Sequence, residues 1–77
     1  MKLIQVLGPG CSKCKQLEEH TRLAAKAMDL ECEILKVTDI QVFMQMGVMM
    51  TPALAIDGKV VLSGKVPSVD ELKKILA

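Results

Sequence analysis

The sequence has no tryptophan, no tyrosine and a single phenylalanine, Phe43, among its 77 residues. With Phe43 as the one aromatic on which a base could stack, and lysines scattered along the chain, a nucleic-acid partner is not expected. Charge of one sign is also scarce: ten basic and nine acidic side chains leave a formal net charge of +1. No apolar run approaches the roughly 18–20 residues of a membrane-spanning helix, so no membrane partner is expected. The opening MKLIQVLGPGC has the lysine, apolar run and cysteine of a lipoprotein signal. Its apolar part is shorter than a secretory core of about 7–15 residues, and it is needed as a strand, so a cytoplasmic location is expected. Cysteine is sparse too. Three cysteines cannot close a disulfide framework, and a reducing cytosol would not preserve one, which makes a structural staple the weakest explanation for Cys11 and Cys14.

What remains is one small α/β domain, residues 1–77, whose core must be built from aliphatic and methionine side chains. KLIQVL, residues 2–7, is nearly continuously apolar apart from Gln5, is closed by Gly8-Pro9-Gly10, and reads as a strand buried on both faces. From Cys11 onward the period changes. Cys14, Leu17, Thr21, Ala24 and Met28 recur every three or four residues, marking the inner face of an amphipathic helix of roughly four turns. ECEILKV, residues 31–37, suits an outer strand. Thr38 and Gln41 form a capping box, with Val37 and Val42 as a hydrophobic staple, opening a second helix over 38–46 that Gly47 stops. Asp57-Gly58 between ALAI and KVVL is a strong two-residue hairpin signal. Ser68 and Glu71 form another capping box, starting a last helix that turns Val69, Leu72, Ile75 and Leu76 inward. The order is βαβαββα. The first two strands should be parallel through a right-handed crossover, and the hairpin completes a four-stranded mixed sheet with three flanking helices.

The chemistry centres on GPGCSKC, residues 8–14. With Cys11 as helix N-cap, a thiolate there meets unpaired backbone amides and the positive end of the helix dipole, and Lys13 and Lys15 add positive charge. Each effect favours the charged sulfur and lowers the thiol pKa. Residues three apart on a helix have Cβ atoms about 5–6 Å apart. A disulfide wants about 3.5–4.5 Å, a gap that a loose first turn can close. Cys11 would attack and Cys14, one turn in on the apolar side, would resolve. Glycines at 8 and 10 would let a substrate chain approach the sulfur. A lone CxxC also resembles half of a zinc site, so metal handling and an inert pair stay open beside redox exchange. The metal alternative is a carrier of Cu(I) or zinc, like the heavy-metal-associated domains that run βαββαβ.

Strand, CxxC, helix, strand, helix, Thr51-Pro52, hairpin and helix together resemble the thioredoxin superfamily in its minimal, glutaredoxin-sized form. GPGCSKC with MMTPALAIDGKVVLSGKVPS is similar to the small prokaryotic proteins called redox-active disulfide protein 2, over essentially the whole chain. The resemblance implies that Cys11 is the nucleophile, Cys14 the resolving thiol and Pro52 a cis-proline beside the disulfide. Such a bond turns the Thr51 backbone toward a substrate groove that Gly10 and Met50 would also border. It further implies a protein disulfide substrate, a reductant, a monomer and no cofactor. Gly10 stands where an aromatic residue commonly precedes the first cysteine, the inner pair is Ser12-Lys13, and no counterpart of a buried acid or a glutathione site is found.

Three other features have plainer readings. Cys32, in the second strand, is expected to act as a small buried hydrophobe. His20 lies about 9 Å along the helix axis from Cys14, too far to share a metal with the pair. Of the crowded methionines, Met44 is expected to fill core, while Met49 and Met50, just ahead of Pro52, are expected to pack along a substrate groove rather than bind Cu(I).

Overall fold

The computed structural model describes residues 2–10 and 12–77. Seven elements run in the expected order: β1 (Lys2–Leu7), α1 (Ser12–Ala27), β2 (Cys32–Val37), α2 (Ile40–Gln45), β3 (Ala53–Ile56), β4 (Lys59–Ser63) and α3 (Val69–Leu76). They form a four-stranded sheet of order β2-β1-β3-β4. β1 pairs parallel with β2, from Lys2 opposite Cys32 to Leu7 opposite Val37, and antiparallel with β3. This is the minimal thioredoxin-like fold, and it differs from the βαββαβ order of the metal-carrier alternative.

The period-two rule of a strand explains how the core divides. Ile4 and Val6 of β1, with Leu54 of β3 and Leu62 of β4, pack with Leu17, Ala24 and Ala25 of α1 and Leu72 and Leu76 of α3. Leu7 of β1 and Ala53 and Ala55 of β3 pack instead with Phe43 and Val48 around α2. Neighbouring positions on one strand thus serve two clusters, and β1 is apolar from Leu3 to Leu7 except at Gln5 because both of its faces are covered.

Local chemistry sets the ends of the elements. At the hairpin, Asp57 (φ 51°) and Gly58 (φ 84°) both take the positive φ that a two-residue turn of this kind demands. Asp57 also bridges to the centre of the sheet: its N–H donates to Leu3 O at 2.7 Å, and its Oδ1 accepts from the Leu3 N–H at 2.9 Å. Ser68 caps α3, accepting from the Glu71 N–H at 3.2 Å. The Lys2 Nζ donates to Leu76 O at 2.8 Å, satisfying a carbonyl at the far end of the same helix. α1 ends with Leu30 N–H donating to Ala25 O at 2.9 Å and Asp29 N–H to Lys26 O at 3.1 Å, with Asp29 at φ 51°. That is a Schellman motif with aspartate in the left-handed position that glycine more often fills.

α2 departs from expectation at its start. Its N-cap is Asp39, not Thr38: Asp39 Oδ1 accepts from the Gln41 N–H at 2.9 Å. The helix therefore begins at Ile40 and is shorter than the 38–46 span. Both residues are good caps, but adjacent residues cannot both cap one helix, and here the carboxylate faces the free amide. Val37 and Val42 still pack against the α2 cluster. Gly47 (φ 77°) closes the helix as expected, with Val48 N–H bonding to Phe43 O at 2.8 Å.

Candidate functional site

Three chain segments meet beyond the C-terminal end of β1. Leu7 lies opposite Ala53 in the antiparallel register, so the next step along each strand brings Gly8 beside Pro52. Gly8 is held to the other neighbour as well, its N–H donating to Val37 O at 2.9 Å. Pro52 is in turn tied to the end of β4 through Gly64, whose N–H donates to Pro52 O at 2.8 Å. The Thr51–Pro52 peptide is cis. Pro52 itself is buried and Thr51 exposed.

α1 enters this junction from above. Cys14 is the third residue of α1 and is only 2% exposed. Its sulfur lies against Gly8: a Cβ built on Gly8 would overlap Cys14 Sγ, and would stand 3.2 Å from Cys14 Cβ and 3.9 Å from Pro52 Cα. Gly8, Cys14 and Pro52 are therefore brought together. Cys11 lies outside the described residues, as does its expected place as the N-cap of α1. Lys13 and Lys15 are exposed, and no acidic residue occupies the first turn of α1 to offset the positive end of its dipole. Among the described residues, the one buried polar side chain is Thr21, whose Oγ1 donates to Leu17 O at 2.6 Å. No carboxylate lies buried among them.

The two glycines have different surroundings. The space at Gly8 is filled by the protein's own Cys14 sulfur, which corrects the expectation that it opens a path for substrate. Gly10 has φ at 92°, and among the described residues other than its chain neighbours no atom lies within 4 Å of where a Cβ would be.

The methionines also divide. Met50 is 63% exposed and lies over Gly64, where an added Cβ would be 3.2 Å from both its Cβ and its Cε. Met44 is 73% exposed, so the expectation that it fills core is wrong. The short α2 gives its buried face to Phe43 and leaves the next position in solvent. Met44, Met49 and Ile40 instead line a groove of about 520 Å³ with Phe43, Gly47, Val48 and Thr51. Thr51 thus joins this apolar groove to the Pro52 junction. Sequence reasoning missed Gly64. The signal available was its place just past a hairpin strand, one step from pairing with Pro52.

The remaining residues lie apart from the junction. Cys32 is half-buried against the larger core cluster and pairs with Lys2, at the opposite end of β1 from Gly8. His20 is half-buried, with Nδ1 2.9 Å from Pro67 O, which links α1 to the loop before α3. Among the described residues, no group of three or more His, Cys, Asp or Glu side chains is arranged to hold a metal ion. None of the described helices is long and apolar enough to cross a membrane.

A family model for the thioredoxin domain matches residues 2–77. The chain belongs to the thioredoxin family. A thioredoxin from Methanothermobacter thermautotrophicus is 36% identical over 77 residues, covering all of both chains. A thioredoxin from Methanocaldococcus jannaschii is 40% identical over 76 residues, covering 99% of this chain and 87% of that protein. Membership of the thioredoxin family implies thiol–disulfide exchange, and a thioredoxin-like arrangement of β1, α1 and β3 is what brings Gly8, Cys14 and Pro52 to one point.

Proposed function

We propose that this thioredoxin-family protein is a dithiol–disulfide oxidoreductase acting on protein disulfides, with Cys11 as nucleophile and Cys14 as resolving thiol. The Cys11 thiolate attacks one sulfur of a client disulfide. The client S–S bond breaks, one client sulfur leaves as a thiolate that takes up a proton, and a mixed disulfide joins Cys11 to the client. Cys14, deprotonated, then attacks the Cys11 sulfur, releasing the second client thiol and closing the Cys11–Cys14 bridge. Two electrons have passed to the client, and a separate thiol reductant restores the pair by the reverse sequence. No cofactor takes part, and the protein works as a monomer in the cytoplasm.

The observation that carries this reading is the position of Cys14. Its sulfur is nearly sealed from solvent, one helical turn from Cys11 in sequence, where β1, α1 and the Pro52 segment meet. A buried thiol is a poor first attacker on a large substrate and suits the second, intramolecular step. The exposed Lys13 and Lys15 and the unopposed helix dipole favour thiolate at the start of α1. Gly10, Met50 and Thr51 border the client chain beside Pro52, and the apolar groove running from Thr51 accepts its side chains.

The Cys14→Ser protein tests the division of labour. Mixed with a peptide disulfide, it should accumulate one covalent adduct at Cys11, seen by mass spectrometry and reversed by added dithiol, because the second step is lost. The wild-type protein should show almost none under the same conditions. An adduct that forms equally in both proteins, or that maps to Cys32, would overturn these assignments.

A further inference from the structure

We infer that Gly8 is a positioning residue for the Cys14 thiol: it is glycine because the sulfur occupies the space a side chain would need. This rests on the exchange reading and adds a residue to it.

Backbone conformation does not explain this glycine. Gly10, Gly47, Gly58 and Gly64 have positive φ, where glycine is favoured, but Gly8 does not. Steric demand does explain it. A methyl group at position 8 would overlap Cys14 Sγ, which is neither backbone nor the far end of a long flexible chain. Neither partner can easily give way. Gly8 is buried and bonded to Val37 O at 2.9 Å, with Pro52 on its other side. Cys14 is fixed in the first turn of α1, which is anchored one turn later by the fully buried Leu17. The remaining relief is rotation of the Cys14 side chain away from the notch.

That rotation matters for exchange because disulfide geometry is narrow, and a bridge forced off it is more easily reduced. In the reduced protein the displaced thiol can settle in another rotamer. In the oxidised protein the bridge fixes the sulfur, so the added methyl group penalises the oxidised form more. Gly8→Ala should therefore make the Cys11–Cys14 bridge easier to reduce, by about tenfold in the exchange equilibrium with dithiothreitol, or about 30 mV for this two-electron couple.

Two measurements test this. The first is that exchange equilibrium, for wild type and Gly8→Ala. A shift toward the reduced form of about tenfold or more supports the inference, and equilibria within about twofold of each other overturn it. The second is a double-mutant cycle on unfolding of the reduced proteins. Gly8→Ala should cost much more with cysteine at position 14 than in a Cys14→Ala background, where the sulfur is gone. Equal costs in the two backgrounds would mean that position 8 needs glycine for another reason. A Gly8→Ala protein that folds only when combined with Cys14→Ala supports the inference, and failure to fold in both backgrounds overturns it. The cycle needs no bridge. Should wild type form no disulfide, the exchange reading fails on the first measurement, while the steric coupling is still decided by the second.

Discussion

A Cys11→Ser protein is expected to fold normally yet to reduce a peptide disulfide more slowly than wild type, by roughly three orders of magnitude or more, as when other covalent nucleophiles are removed. The attacking species is a thiolate, and serine offers no comparable anion near neutral pH. Neither other cysteine can take its place. Cys14 is only 2% exposed, so a client disulfide cannot reach its sulfur in line. Cys32 pairs with Lys2, whereas the junction lies beyond Leu7 at the other end of β1. At about 3.3 Å per residue, that puts Cys32 on the order of 15–20 Å away. The change swaps one small polar side chain for another, so the urea midpoint should stay close to that of wild type. Turnover above about a tenth of wild type would mean that Cys11 is not the nucleophile.

The second large effect is on stability. Leu54→Ala is expected to cost about 3–5 kcal/mol, the upper part of the range for a leucine removed from a packed core. Leu54 is fully buried, paired with Val6 on one side and Leu62 on the other, and covered by α1 and α3. A strand held between two neighbours cannot collapse inward to fill the lost volume, so most of the cavity should remain. A domain of this length has roughly 4–12 kcal/mol in total. The variant should therefore be close to half unfolded or should unfold at much lower urea, with the slope of the transition unchanged. β3 starts immediately after Pro52, so the junction should fail with the fold and activity should follow the folded fraction. A cost below about 1 kcal/mol would contradict the described packing.

Much of this architecture can be read from residue chemistry because the signals are local. Asp57-Gly58 makes its turn through the φ values of two adjacent residues, and Ser68 with Glu71 caps α3 across a single turn. The helical spacing of Cys14, Leu17, Thr21 and Ala24 gave the buried face of α1 correctly. CxxC and Thr51-Pro52 gave the family through their pairing in the sequence, although one member of the pair, Cys11, lies outside the described residues.

What could not be read depends on long-range fit. Thr38 and Asp39 are both good caps, and the choice between them turns on which oxygen reaches the Gln41 amide. Counting outward from the hairpin turn sets Pro52 opposite Ser63. In the structure Leu54 pairs with Leu62 but Ala55 with Val60, an irregularity that leaves Val61 as the extra residue and brings Gly64 to Pro52 instead. No residue type announces that bulge. Met44 is apolar like Val42 and Phe43 before it, and only the orientation of a six-residue helix leaves it exposed. The closeness of Gly8 to the Cys14 sulfur is likewise a three-dimensional fact, hidden in a GPG sequence that reads as a turn.

The most direct measurement is a redox titration of the metal-free protein, equilibrated across a thiol/disulfide series, quenched by alkylation and mapped by mass spectrometry. One reversible two-electron transition is expected, with Cys11 and Cys14 losing their alkylation together and Cys32 remaining fully alkylated at every poise. Protection of Cys32 in place of either partner, or full alkylation of both Cys11 and Cys14 even at the most oxidising poise, would contradict it.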